Sequence, residues 1–408
     1  MTPHAGRTPA YLAALASSAV PGLDPVSVQA VQQAPGARFQ VAFVTDRQQR
    51  RWTVRVPLTA AAGAQQDATV ALLHLLARRL PFQVPAPKGF VAVPQGRAVV
   101  YPHLVGHALD LAQVPAGPGL AAEIGRALAA LHNVDRGVYD QGDVPAYDAA
   151  TCRARHVADL DRGAGTGHVP TALLARWESA LEDVTLWRFA PTPTHGGVDG
   201  RSILAVFDGE TDASAAHVKA LVGWEDAAMG DPAADLAALV RGGHEGLVDS
   251  VLEAYANSRI ERPDAHLRRR ARLLGELRVL RGLLVAVTSG AAPAVQEYAA
   301  RLRELDADTH GDDDLAVPAP PTAPAPRAVA LPSPGHGDSA APDEAPGGDD
   351  GHDPTQEIPA HQLAKARGTL LAEEADPAGG SPADPALPAD PADPDDPDGD
   401  EVDGRIGR

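Results

Sequence analysis

The sequence predicts an α+β protein in which a small sheet comes first and a helical region follows. Two patterns carry that expectation. Over the first hundred residues, short runs alternate apolar and polar side chains around turn residues; from Leu120 onward, apolar residues recur three and four apart. A third observation, a Pro-, Ala- and Asp-rich composition beyond about residue 306, sets a tail apart from both. The 408 residues divide into a sheet-rich unit at 1–104, a helical unit at 105–306 and an acidic tail at 307–408. That length suits two or three domain-sized pieces.

The opening run "YLAALASSAV" (11–20) follows Arg7 and has a faint signal-peptide look. It is short, rich in Ala and Ser and poorly charged at its start, so it reads as a first amphipathic helix stopped by Pro21-Gly22. "FQVAFVTD" and "RRWTVRVPL" alternate around a "DRQQ" turn, the pattern of an antiparallel hairpin. Period two places Trp52, Val54 and Val56 on one face and Thr53 and Arg55 on the other. Residues 60–80 form a helix with Val70, Leu72, Leu73, Leu76 and Leu80 on a broad apolar stripe, ended by Pro81. "GFVAVPQGRAVVYPHLVG" is a second strand pair. In the helical unit, Leu120, Ile124, Leu128 and Leu131 line one helix. Leu173, Leu174, Trp177 and Leu181 line another, started by Pro170 and Thr171. The run "DAHLRRRARLLGELRVLRGLLVAV" is strongly amphipathic, with Leu267, Leu274, Leu277 and Leu284 inside. Its arginine row, diluted by Glu276, reads as a solvated face.

The formal charge of −19 is unevenly placed: residues 311–408 hold 22 acidic and five basic side chains, leaving the body near neutral. A balanced body offers no basic face for nucleic acid, and a polyanionic tail repels both DNA and anionic membranes. The lone Cys152 excludes an internal disulfide and a cysteine-based zinc site, which fits a cytoplasmic location. No apolar run reaches the ~20 residues a membrane helix needs. The histidines show no metal-ligand spacing. Beyond Gly311 lie 18 of the 38 prolines and no aromatic residue, so the tail is expected to be disordered. Within it, residues 359–376 place Leu363, Leu370 and Leu371 on one side of a short helix. Such a helix is marginal in isolation and is read as transient, with a protein partner for the tail as the alternative.

The order of sheet, long helix, linker and helical lobe, together with "HGG…SIL" at 195–204 and "WEDAAMGDPAADLAALV" at 224–240, resembles the aminoglycoside and macrolide phosphotransferase family. "WTVRVP", "AVVYPHLVG" and "GRALAALH" support the likeness, which spans about residues 8–306. The resemblance implies a bilobal protein-kinase-like fold, with ATP or GTP and Mg2+ as cofactors if the protein is active. It also implies a small-molecule ligand between the lobes. Gly197 takes the place of the family's catalytic-base aspartate, and Gly223 that of its magnesium aspartate. Ser202 stands at the family's second metal position and Arg55 at its phosphate-binding lysine. Thr69 replaces the glutamate that orients that lysine, while Asp67, two residues away on a helix, points elsewhere. Arg55 is therefore expected to lack an orienting carboxylate.

Phosphoryl transfer needs positioning and charge neutralisation more than covalent chemistry. A glycine at the base position forfeits about 10²–10⁴-fold in rate, and magnesium wants hard oxygen ligands that two glycines cannot supply. Asp199, as a substitute base, and Asp226, as a substitute ligand, are the nearest acids. His195 reads as structural, bonding backbone at 222–224, and Asp231 and Asp235 as braces for a helix opening at Pro232. Three readings follow. The favoured one is a catalytically impaired pseudokinase that binds a small molecule, a nucleotide or a partner through the cleft. The second is an active antibiotic-type O-phosphotransferase with rearranged acids. The third is an interaction platform working through its tail.

Overall fold

The computed structural model describes residues 8–207, 216–311 and 315. In chain order the N-terminal lobe runs α1 (Pro9–Ala19), β1 (Pro25–Ala30), β2 (Phe39–Asp46), β3 (Arg51–Pro57), α2 (Ala60–Leu76), β4 (Gly89–Val93) and β5 (Gly96–Pro102). The strands form an antiparallel sheet in the order β1-β2-β3-β5-β4. Trp52, Val54 and Val56 lie buried against Leu12, Leu15 and Ala16 of α1, the face that strand periodicity assigns to them. Thr53 and Arg55 point to the other side and are half-buried. β1 escapes the sequence pattern because it is an edge strand: none of its residues is fully buried, so it needs no clean alternation. α2 packs on β3 and β5, and its Leu72, Leu73 and Leu76 join the core of the second lobe.

The second lobe begins with β6 (His107–Ala108), α3 (Leu120–His132), α4 (Arg136–Gln141), α5 (Ala149–Ala164) and α6 (Thr171–Glu182). It continues through β7 (Thr192–Thr194), β8 (Ile203–Phe207), β9 (Ala216–Leu221), a 3-10 turn (Trp224–Asp226) and β10 (Ala228–Gly230). It closes with α7 (Ala233–Gly242), α8 (Glu245–Ser258), α9 (Leu267–Thr288) and α10 (Ala292–Asp308). α3 packs on α8, and α7 packs on α9. α10, which extends the helical region past the predicted last helix, buries Ala299, Leu302 and Leu305. No described helix is long and apolar enough to cross a membrane. The predicted tail helix at 359–376 lies outside the described residues.

The arginine row of α9 is solvated at Arg268 and Arg281, as the sequence predicts, but Arg269, Arg270 and Glu276 correct that expectation. Arg270 is 0% exposed. It bonds Asp231 (2.9 Å) and Asp264 (2.7 and 2.8 Å) and lies 4.6 Å from the Phe189 ring centre. Burial opposes its charge, but Asp264 and Asp231 outweigh burial and raise its pKa. Arg269 pairs with Asp183 at 2.7 Å, both nearly buried. Glu276 is buried too, taking Trp177 Nε1–H at 2.7 Å and Arg176 at 3.1 Å. Amphipathic spacing cannot separate an arginine that faces water from one that faces a buried carboxylate on another helix.

Replacing Arg270 by Met leaves the buried Asp231 and the half-buried Asp264 without their cation, and should cost about 3–5 kcal/mol in urea unfolding. Arg301→Met, which breaks an exposed pair with Glu297, should cost less than ~1 kcal/mol.

Candidate active site between the lobes

The loop after β7 is held by one carboxylate. Asp235, fully buried in the first turn of α7, accepts backbone N–H bonds from His195 (2.7 Å), Gly196 (2.8 Å) and Gly197 (2.7 Å). It also accepts from His132 Nε2 at 3.1 Å, whose Nδ1 lies 2.8 Å from the Tyr255 hydroxyl. Burial alone would raise the Asp235 pKa, but the bonds from the His132 ring and the His195 backbone N–H outweigh it and lower it. His195 is driven neutral by burial. Its Nε2–H donates to the Val222 carbonyl at 2.9 Å, and its ring stacks 4.7 Å from Trp224. Asp231 accepts from Ala233 N–H at 2.9 Å while holding Arg270, so it braces α7 from both sides.

The two glycines lie where the loops converge. Gly223 has φ +87°, and a Cβ built there would stand 3.8 Å from both Glu225 Oε2 and His195 Cε1, and 4.0 Å from Ser202 Cβ. That space is open, and Asp and Asn tolerate this left-handed region better than most residues. Gly197 differs. Its φ of +150° is adopted almost only by glycine, and its Cβ direction leads to Arg278 Nη1 at 3.5 Å. The guanidinium of Arg278 on α9 thus stands beside the position to which the resemblance assigns a carboxylate.

The substitute residues are occupied. Asp199 caps a turn, accepting from Arg201 N–H (3.1 Å) and Ser202 N–H (3.0 Å), and contacts Arg278 at 3.3 Å. Ser202 Oγ donates to the Asp199 carbonyl and accepts from Asp199 N–H, both at 2.8 Å. Asp226 holds Arg38 through two bonds of 2.8 and 3.0 Å. Among the described residues no three His, Cys, Asp or Glu side chains form a metal-binding group. The residues at this place do not fit magnesium.

Arg55 has an acidic partner after all: its guanidinium pairs with Glu225, both largely buried, which corrects the sequence expectation. It stacks 3.7 Å over Phe39, and burial lowers its pKa to about 10. The helix contributes through Gln65 rather than position 69. Gln65 Nε2 donates to the Glu225 carbonyl (2.7 Å) and its Oε1 accepts from Arg38 (3.1 Å), whereas Thr69 Oγ1 bonds within its own helix. Asp67 pairs with Arg97 at 2.8 Å, pointing elsewhere as its spacing predicts. The β1–β2 turn also crosses to the second lobe. Gly36 sits so close to Val285 of α9 that a side chain there would overlap Val285 Cγ1. Below this strap lies a cleft of about 1550 Å³ lined by α2, the 194–197 loop, the Glu225–Asp226 turn, α5 and α9.

A five-stranded lobe on a helical lobe, with an His-Gly loop packed against a Trp-Glu-Asp turn and both lining the cleft, defines a kinase-like phosphotransferase scaffold. The chain belongs to the phosphotransferase enzyme family, whose model matches residues 30–274. Its structure is similar to the macrolide 2'-phosphotransferase MphH from Brachybacterium faecium as apoenzyme. That comparison gives TM-score 0.59 and 26% identity, covering 72% of this chain and 98% of that one. A type I macrolide 2'-phosphotransferase gives TM-score 0.60 and 25% identity over 72% and 98%. A GDP complex of aminoglycoside 2'-phosphotransferase-IIIa, 15% identical, shares the fold with TM-score 0.61 over 74% and 100%. Among curated proteins, no sequence matches the chain.

Four residues that organise the site are not legible as such in the sequence: Arg38, Gln65, Glu225 and Arg278. Glu225 carries the one signal, an acidic residue directly after the tryptophan; the others are ordinary polar residues on a loop or helix.

His156 lines the same cleft, and burial, with Arg281 and Arg155, lowers its pKa to about 3. Between pH 6.5 and about 3 the unfolded chain takes up this proton and the folded chain does not. Stability should therefore fall as pH drops through that window, by roughly 1.4 kcal/mol per unit. Urea titrations at stepped pH should show that contribution to the slope vanish in His156→Gln.

Proposed function

We propose that this protein is a non-transferring member of the family, a pseudokinase that binds a small molecule in the cleft between its lobes. The observation that carries the reading is the pairing of Gly197 with Arg278. The base position has no side chain, its backbone has turned into a glycine conformation, and a cation faces the space. A guanidinium cannot take a proton from an attacking hydroxyl, because it stays charged throughout the accessible pH range. Gly223, with the engaged Ser202, Glu225 and Asp226, supports the same conclusion for the metal. Asp199 and Asp226, the acids that an active enzyme would have to recruit, each hold an arginine. The N-lobe cations that would meet nucleotide phosphates are neutralised by Glu225 and Asp226, so any nucleotide binding is weak and independent of metal. A ligand of macrolide or aminoglycoside size is what the similar structures suggest. A protein partner for the acidic tail, charged −17 over residues 311–408, is a separate expectation; deletion of those residues tests it.

The deciding measurement is phosphate transfer from ATP and GTP by purified protein, with and without magnesium. Family-type kinases turn over at about 1–100 s⁻¹; this protein should fall at least 10²–10⁴-fold below that. Turnover at the ordinary rate sinks the reading. Gly223→Asp has both space and a tolerant backbone, and should introduce magnesium-dependent nucleotide binding on its own. Gly197→Asp must also move backbone and displace Arg278, so transfer should appear only in the double variant.

A further inference from the structure

Arg278 does not stand alone. Arg281 follows three residues later on α9, hence on the same helix face. Arg155 of α5 lies 4.3 Å over the Tyr147 ring, and all three arginines line the cleft together with Gly197. We propose that this corner binds the phosphate-monoester group of a small organic molecule, with Arg278 as the principal ligand and Arg281 and Arg155 flanking it. The proposal rests on reading the cleft as a binding site and names the chemistry it accepts.

Arg278 has donors to spare. A guanidinium carries five N–H groups, and the contact of Arg278 is a single 3.3 Å approach to Asp199 Oδ2. The other carboxylate oxygen of Asp199 is committed to backbone N–H groups. The side chain is 38% exposed, so it is open to the cleft without being a freely solvated surface charge. Arg281 is oriented by Asp159 at 3.3 Å and by His156 Nδ1 at 2.9 Å. A ring nitrogen that accepts from a guanidinium is unprotonated, so His156 positions Arg281 without neutralising it, and the one carboxylate beside Arg281, Asp159, is shared with Arg162.

Most acids of the cleft are spoken for. Asp159 serves Arg162 and Arg281, Asp226 serves Arg38, Asp231 serves Arg270 and Glu225 serves Arg55. The two remaining, Asp143 and Asp161, are solvent-exposed. A polycationic ligand would meet Arg278 head-on and find only these two exposed carboxylates unpaired, a mismatch that discriminates against it. A phosphate monoester has the reverse fit, because guanidinium groups grip its oxygens bidentately. The cleft of about 1550 Å³ exceeds the usual ligand pocket of ~300–1,000 Å³. An organic body therefore fits beside the anchored phosphate.

Titration calorimetry on the full chain tests this with four probes: glucose 6-phosphate, glucose, inorganic phosphate and kanamycin. Glucose 6-phosphate should bind, more tightly than inorganic phosphate and with affinity falling as salt rises. Glucose and kanamycin should show no binding. Arg278→Gln should weaken glucose 6-phosphate at least tenfold with an unchanged melting temperature, and Arg281→Gln should weaken it less. Arg301→Gln, on α10, should change nothing. Equal affinity in Arg278→Gln, binding of kanamycin in place of the phosphate, binding of inorganic phosphate alone, or no phosphate binding each overturns the proposal. Turnover of ATP by the natural protein would overturn the pseudokinase reading and leave these binding results standing. Absent turnover with absent phosphate binding would sink this inference alone.

Discussion

The Asp235 carboxylate is the constraint from which the site follows. Its two oxygens gather three successive N–H groups of the 195–197 loop and the His132 ring, all out of water. Hydrogen bonds to a buried carboxylate are among the strongest a protein makes, and leaving any of these donors alone would be costly. The loop is thereby held by its backbone. The carboxylate fixes where the loop runs, while the φ of +150° at position 197 is one that almost only glycine adopts, so the loop's shape depends both on Asp235 and on the absence of a side chain there.

A second separation concerns charge. In a kinase-like cleft the N-lobe cation exists to meet phosphate oxygens. Here Arg55 and Arg38 meet Glu225 and Asp226, carboxylates of the protein itself, while Gln65 ties the same turn to α2. Both guanidinium charges are balanced from within the chain. At the opposite wall the signs reverse, with Arg278 and Arg281 facing the cavity.

Much of the lobe order was legible in the sequence because periodicity reports burial on one face. β3 and α2 owe their recognition to rows of Val and Leu that pack to one side. β1, an edge strand, lacks such a row and was missed. The glycines at 197 and 223, where the resemblance expects aspartates, were also legible, since they stand in the letters themselves. What surrounds them was not. Arg278 lies 81 positions beyond Gly197, Arg38 188 before Asp226, and no local pattern links such pairs. The same blindness turned the buried Arg270 and Glu276 into apparent surface residues: a charge on an amphipathic helix announces its sign but not its partner.

The contact of Gly36 with Val285 bears on how fast the cleft can exchange its contents. Because the β1–β2 turn rests on α9, the two lobes are joined at the mouth as well as at the linker between them. Widening the opening requires that contact and the Arg38–Asp226 pair to part together, as a collective hinge motion on the microsecond to millisecond scale. A side chain added at position 36 would collide with Val285 and so would have to lift the turn off α9, loosening the lobes at the mouth.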